Sequence, residues 1–229
     1  MSENILVLGS TGATGLEFLR ETLPLSDGPR LTLLVRSRSK LPQDLISQSA
    51  SKVRIVEGGL SDEAKLDEAM EGVTTVISFL GAYPAFSYLI TRAKPTPIAN
   101  SFPLIKRVMK KHGVKRLLAL STPSHSIPGE KYNFAQWFTT QIFPPYLMPQ
   151  GDAEMKAIAE HSADDDFDYT IFRVPHLTNG PADLKVYAGF YGPDFKGSQS
   201  LSRASLARWA YQEIVNKQWI RQQPALGNY

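Results

Sequence analysis

Gly9, Gly12 and Gly15 recur at a fixed interval in Gly9-Ser10-Thr11-Gly12-Ala13-Thr14-Gly15. Glycines so spaced can lay bare backbone against a phosphate. The first permits a tight turn, the second lets the main chain approach a pyrophosphate with no Cβ between, and the third lets a helix pack closely on the preceding strand. Amides from Thr11 to Thr14 then point at the phosphates, and the helix dipole favours their negative charge. The competing reading is that these glycines only permit strand–helix packing. Context favours the cradle, because the turn follows the apolar run Ile5-Leu6-Val7-Leu8 and opens a helical segment.

The second chemical feature is Val35-Arg36-Ser37-Arg38-Ser39-Lys40. A site for a dinucleotide with free ribose hydroxyls places Asp or Glu at the end of the second strand. No acid is present here. A guanidinium at Arg36, helped by Arg38 or Lys40, suits a 2′-phosphate dianion. The cofactor expected is therefore NADP(H). A plain basic surface turn is the alternative; it loses if the glycine turn is correctly read, since this stretch must then lie beside the adenosine ribose.

These residues need a scaffold that sets the ends of the first two strands side by side. Strands are expected at residues 5–8, 31–35, 53–56, 73–79, 116–120 and 169–172, and helices at 13–22, 63–70, 102–112, 152–161 and 203–217. Alternating apolar strands and helices give a parallel sheet covered on both faces. Right-handed crossovers set the order 3-2-1-4-5-6 of a Rossmann-type, doubly wound α/β fold, expected as one domain over residues 1–229. Residues 83–100, 123–150 and 181–200 break the alternation and are rich in Pro, Gly and aromatics. They follow strands four, five and six, where such sheets bind ligands, so they are expected to build a substrate pocket; plain surface loops are the other reading.

With those elements placed, the chain resembles the atypical short-chain dehydrogenase/reductase family, particularly its NmrA-like and biliverdin reductase B/flavin reductase group. The likeness is carried by Leu8-Gly9-Ser10-Thr11-Gly12-Ala13-Thr14-Gly15, Leu34-Val35-Arg36, Phe79-Leu80-Gly81-Ala82, the segment from Phe172 through Pro175-His176 to Pro181, and the segment from Leu201 to Ala207. It implies that Gly59 and Leu60 lie near the adenine and that Leu80 and Gly81 pass the adenosine. Ser121 and Thr122 would lie beside the nicotinamide ribose. Lys156 falls where many relatives have a lysine on the helix before strand six. The backbone from Pro175 to Leu177 would meet the carboxamide side of the nicotinamide.

The usual Tyr-x-x-x-Lys of that family is incomplete. Its nearest match, Tyr132-Asn133-Phe134-Ala135-Gln136, ends in an uncharged glutamine, which cannot depress a phenol electrostatically. The catalytic candidates are Tyr132 as a weak acid, Ser121 (or Ser124, because Pro123 disturbs the register), Lys156 and His176. The titration range of His176 suits acid or base work near neutral pH; the equal alternative is that it only shapes the pocket. His125 could reach the same pocket. Tyr83, Phe86, Tyr88, Tyr132, Phe134, Trp137, Phe138, Phe143, Tyr146, Tyr187, Phe190 and Tyr191 all come from the irregular stretches. As a set they point to a flat or apolar substrate, although any single one is more readily local core. A conjugated acceptor such as a flavin or an enone needs no protein acid, because water can deliver the proton.

Composition narrows the field. The chain has 229 residues, no cysteine and a formal charge of +3. Thiolate catalysis, disulfides and cysteine-ligated zinc are excluded, and no spacing indicates a metal site. Lys and Arg are scattered, so no nucleic-acid partner is expected. No run of 18 apolar residues exists, so no membrane span is expected. There is no Gly-x-Ser-x-Gly elbow of a serine hydrolase. The first residues lack the marks of a secretory leader, so a cytoplasmic monomer or homodimer is expected. The leading expectation is an NADP(H)-dependent oxidoreductase moving hydride to or from a small conjugated or aromatic molecule. The alternatives are a non-catalytic, NADP-binding redox-sensing regulator, and an isomerase or cyclase that retains its cofactor.

Overall fold

The computed structural model describes residues 3–82, 91 and 94–229. Strands β1 (Asn4–Leu8), β2 (Arg30–Val35), β3 (Val53–Glu57), β4 (Thr75–Ser78), β5 (Arg116–Ser121) and β6 (Asp168–Arg173) lie parallel in the order β3-β2-β1-β4-β5-β6, as the alternation predicts. Ile5 to Leu8 are wholly buried. They read as a continuous apolar run because the central strand has helices on both faces.

The helices lying wholly within the described residues are α1 (Ala13–Thr22), α2 (Gln43–Gln48), α3 (Glu63–Met70), α4 (Phe102–Lys111), α5 (Phe134–Trp137), α6 (Phe143–Leu147), α7 (Pro149–Ser162) and α8 (Arg203–Asn216). One face of the sheet carries α1 packed on α8; the other carries α3, α4 and α7. Helix α3 starts where Asp62 accepts from the Lys65 amide, and α8 where Ser202 accepts from the Ser205 amide. Helix α7 begins a turn earlier than the sequence pattern predicts, at Pro149, whose fixed φ suits a first helical position.

Four short strands were not legible in sequence: β7 (His176–Thr178), β8 (Val186–Gly189), β9 (Ser200–Ser202) and β10 (Ala225–Asn228). Strand β10 extends the sheet beyond β6 through Ala225↔Arg173, and β8 pairs antiparallel with β10. Strands β7 and β9 form a separate parallel ribbon. Runs this short leave no period to detect.

Residues 123–150 are also more regular than expected. Between α5 and α6 runs a π-helical turn, Phe138–Ile142. Pro144 and Pro145 have no N–H to return to the carbonyls of Thr140 and Gln141, and the helix widens just before them.

The strand order reverses between β1 and β4, and an open α/β sheet has its crevice outside the carboxyl ends at that point. The Phe79 amide donates to the Leu8 carbonyl at 2.9 Å there, joining the two strand ends that frame the glycine turn.

Candidate functional site

The glycine turn is built without room for side chains. Gly9 has φ +83°, and a Cβ on it would lie 3.1 Å from the Phe79 carbonyl carbon and 3.2 Å from the Leu80 nitrogen. A Cβ on Gly15 would lie 2.3 Å from the Gly9 oxygen, so α1 can rest this close to the turn only with glycine there. Gly12 caps α1, and its amide donates to the Gly9 carbonyl at 3.0 Å. No side chain caps α1 and no acid occupies its first turn. The first amides of a helix have no acceptor inside it, so this end is left for an anion. Ser10 Oγ is fully buried and has no hydrogen-bond partner among the described residues. A bare cradle, free helix amides and an orphaned hydroxyl together fit a pyrophosphate.

Arg36 lies exposed just past β2, and Arg38 and Lys40 are exposed in the short 3-10 turn that follows. Among the described residues no side chain or carboxylate pairs with any of these three cations. The Gly58 amide donates to the Val35 carbonyl at 2.9 Å, which sets the chain entering Gly59 and Leu60 beside the end of β2. Nothing lies within 4 Å of a Cβ built on Gly59.

A cavity of ≈ 620 Å³ runs from the turn at Gly12, Ala13 and Thr14 to the β7–β9 ribbon. Its wall is mainly apolar, with Phe79, Leu120, Met155, Val174 and Leu177 prominent. The structure brings Gly81, Thr122, Pro175, His176 and Leu177 together on this wall. Thr122 Oγ1 and Ser124 Oγ are 2.8 Å apart. His176 is exposed at the rim, with no side-chain partner among the described residues.

The catalytic candidates fare differently. Ser121 is fully buried, and its hydroxyl donates to the Met155 carbonyl at 2.8 Å, so it does not face the cavity. Tyr132 is also off the wall; its hydroxyl donates to Glu130 Oε2 at 2.6 Å. Burial and then the Glu130 carboxylate hold that phenol well above its ordinary range, the reverse of what a proton donor needs. Gln136 is no substitute for a lysine: its side chain closes a capping box with Asn133, accepting from the Asn133 amide at 3.0 Å. Lys156 does not line the cavity and instead reaches Asp152 Oδ2 at 3.0 Å. His125 is likewise off the wall, with Nε2 3.0 Å from Gln223 Oε1. Burial, then the positive charge of Arg173, holds its pKa below the ordinary value.

The aromatic set divides as well. Of those described, only Phe143 joins Phe79 on the wall. Tyr132, Tyr191 and Phe195 pack as tilted rings in a cluster away from it, with centroids 5.0 and 4.5 Å apart. Phe134, Trp137, Phe138 and Tyr146 are exposed. Tyr187 and Phe190 pack edge-on against Tyr229 and Trp219. Tyr83, Phe86 and Tyr88 lie outside the described residues.

Asp152 was not singled out by the sequence. It lines the cavity at 7% exposure, and its Oδ1 has no hydrogen-bond partner among the described residues. The available signal was its spacing: Asp152 and Lys156 repeat, on the helix before β6, the interval of the absent Tyr-x-x-x-Lys. An Asp in a first helical turn reads more readily as a dipole partner.

Comparison with known proteins gives the family and similar folds. Residues 9–217 match the NAD(P)H-binding family model, and the chain belongs to that family. Its fold is similar to a short-chain dehydrogenase/reductase from Veillonella parvula DSM 2008 in complex with NADP (TM-score 0.74, 17% identity, 99% of this chain and 95% of that one covered). It is also similar to a Rossmann-fold NAD(P)-binding family protein from Shigella flexneri (TM-score 0.67, 19% identity, 100% and 94% covered). A third similar fold is ChuY, an anaerobillin reductase from Escherichia coli O157:H7 (TM-score 0.68, 17% identity, 98% and 96% covered).

Proposed function

We propose that this chain is an NADP(H)-dependent oxidoreductase that moves hydride to or from a small conjugated or aromatic molecule. One observation carries the reading: the wall formed by Gly12, Ala13 and Thr14 and the apolar chamber beyond it belong to a single cavity. A dinucleotide held at the turn therefore shares one enclosure with whatever fills the chamber.

In this reading the Gly9–Gly15 turn and the Ser10 hydroxyl hold the pyrophosphate. Arg36, with Arg38 and Lys40, holds the 2′-phosphate. Gly59, Leu60, Leu80 and Gly81 border the adenosine, and Thr122 with the backbone of Pro175 to Leu177 borders the nicotinamide end. Preference for NADP over NAD is supported by three cations unpaired among the described residues and by the lack of any acid across residues 36–40. Bound there, the cofactor supplies or accepts a hydride. The chain's own part is to orient the reactants and to exclude water with Phe79, Leu120, Met155 and Leu177. Tyr132 and Ser121 are both committed to other partners. A conjugated acceptor, whose reduced form delocalises its charge and takes its proton from water, therefore fits better than a simple ketone. The fold shared with an anaerobillin reductase lends support to that class.

The test is oxidation of NADPH, and separately of NADH, against flavins, quinones, enones and linear tetrapyrroles. Turnover with at least one conjugated class and a preference for NADPH is expected. Tight NADPH binding without turnover of any class would move the assignment to a redox-sensing regulator, a reading favoured by the engagement of Tyr132 and Ser121 away from the cavity.

A further inference from the structure

We infer that Asp152 is the polar anchor of the substrate chamber, and that the substrate is an otherwise apolar molecule offering it a neutral N–H or O–H donor. The inference deepens the function proposed above, taking from it only that the phosphates lie along Gly12 to Thr14 and leave the Asp152 side of the cavity to the substrate.

Asp152 sits in the first turn of α7, between Met148 and Met155, which line the same cavity. One carboxylate oxygen is satisfied: Oδ2 lies 3.0 Å from Lys156 Nζ. The other, Oδ1, is shielded from water and meets no donor among the described residues. Such an oxygen forfeits its hydration without recompense, and a structural role does not require that: the side chain caps no backbone amide. Rotation about the Cβ–Cγ bond is soft and nearly two-fold. A carboxylate on the cavity wall can therefore turn an oxygen toward an incoming donor, with the flexible Lys156 side chain following the other oxygen.

The donor's charge follows from the neighbours. Lys156 already offsets the carboxylate, so a cationic ligand gains less here than beside a lone acid. It would also lose its hydration among Phe143, Pro144, Met148 and Met155, all on the same wall. An anionic group would face Asp152 directly. A neutral donor gains a charge-assisted hydrogen bond and keeps the apolar contacts. The other polar side chains on the wall are mostly engaged: Thr139 and Thr140 bond to carbonyls of their own helical segment, and Arg203 to Asn179 Oδ1.

The experiment uses the full chain, with and without saturating NADP+, titrated with 2-naphthol and with its methyl ether, 2-methoxynaphthalene. The wild type is expected to bind the naphthol on the order of 10- to 100-fold tighter than the ether. Asp152→Ala is expected to bring the two within about threefold of each other, with NADPH affinity and melting temperature near wild type. If Asp152→Ala does not fold, Lys156→Met serves instead. It keeps the carboxylate and removes its counter-ion, so 2-naphthylmethylamine should gain at least about tenfold relative to the naphthol. Equal binding of naphthol and ether by the wild type, no binding of either, discrimination surviving in Asp152→Ala, or no gain by the amine in Lys156→Met overturns the proposal. Discrimination intact in a chain that fails to bind NADPH would sink the cofactor reading and leave this one standing.

Discussion

Arg173 and Glu130 meet as a two-pronged buried ion pair, Nη2 to Oε1 at 2.6 Å and Nη1 to Oε2 at 2.8 Å, with side chains 0% and 1% exposed. The pair ties the end of β6 to the long segment after β5. Arg173 also donates to the carbonyls of His125 and Gln223. Glu130 accepts from Tyr132 Oη and from the amides of Ile127 and Tyr191. The segment supplying Pro123, Ser124, Thr139 and Thr140 to the cavity wall is held from behind by this network.

Removing one partner strands the other. Arg173→Met is expected to destabilise the fold by about 3–5 kcal/mol, because Glu130 is left buried and uncompensated. Urea unfolding at neutral pH measures this, and a loss below about 1 kcal/mol would count against a network this tightly closed.

Tyr132→Phe separates position from chemistry. The hydroxyl serves Glu130 and lies off the cavity wall. Any NADPH-dependent turnover is expected to stay within about threefold of wild type, far from the roughly 10²–10⁴-fold attached to a general acid. A loss in that larger range, at unchanged stability, would restore the tyrosine as a proton donor.

Stability should fall as the solution is acidified from neutral. Burial, then Arg173, lowers the His125 pKa below its ordinary 6.5. Below 6.5 the unfolded chain takes up a proton that folded His125 refuses, so stability is lost from that point down to the lowered folded pKa. His125→Gln should flatten this part of the profile. Glu130 acts in the same direction lower down. Burial by itself would raise its pKa, but the hydrogen bonds and charge of Arg173, with help from Tyr132 and the Tyr191 amide, hold it below the ordinary 4.5. Its contribution is complete above that value and is lost as the pH falls through the lowered one. Unfolding free energies between neutral pH and the acid limit, compared for wild type and His125→Gln, check the sign.

Cofactor choice is tested by Arg36→Ala. The side chain is exposed and unpaired among the described residues, so its loss should cost little stability. NADPH affinity should drop by about tenfold or more, the worth of a charge-assisted contact, while NADH affinity stays nearly unchanged. Equal losses for the two would refute the 2′-phosphate assignment.

Gly15→Ala probes the turn itself. Its new Cβ would stand 2.3 Å from the Gly9 oxygen and 2.7 Å from Ser10 Cα, both backbone, so α1 must move off the turn. A stability cost of about 1–3 kcal/mol is expected from overpacking, together with weaker binding of both dinucleotides. Unaltered NADPH binding in a folded Gly15→Ala protein would show that the amides of Thr11, Ala13 and Thr14 are not the cradle; that of Gly12 already serves the Gly9 carbonyl.

What could be read from the chain alone was local or strictly periodic. The run Ile5–Leu8 followed by Gly9, Gly12 and Gly15 specifies a strand, a turn and a helix within one stretch, and alternation of such units prescribes the parallel order. The cations at Arg36, Arg38 and Lys40 need only the end of β2 to acquire a meaning. The rest was decided by partners distant in sequence. Glu130 lies 43 residues from Arg173, and β10 joins β6 only after α8 has crossed the sheet. No local pattern announced that Tyr132 would turn to Glu130, that Ser121 would face Met155 while Thr122 lined the cavity, or that Asp152 would stand on its wall. Neighbouring positions on a strand or helix project in different directions. Which of them meets a cavity depends on where the elements pack, and that is settled only when the whole chain closes on itself.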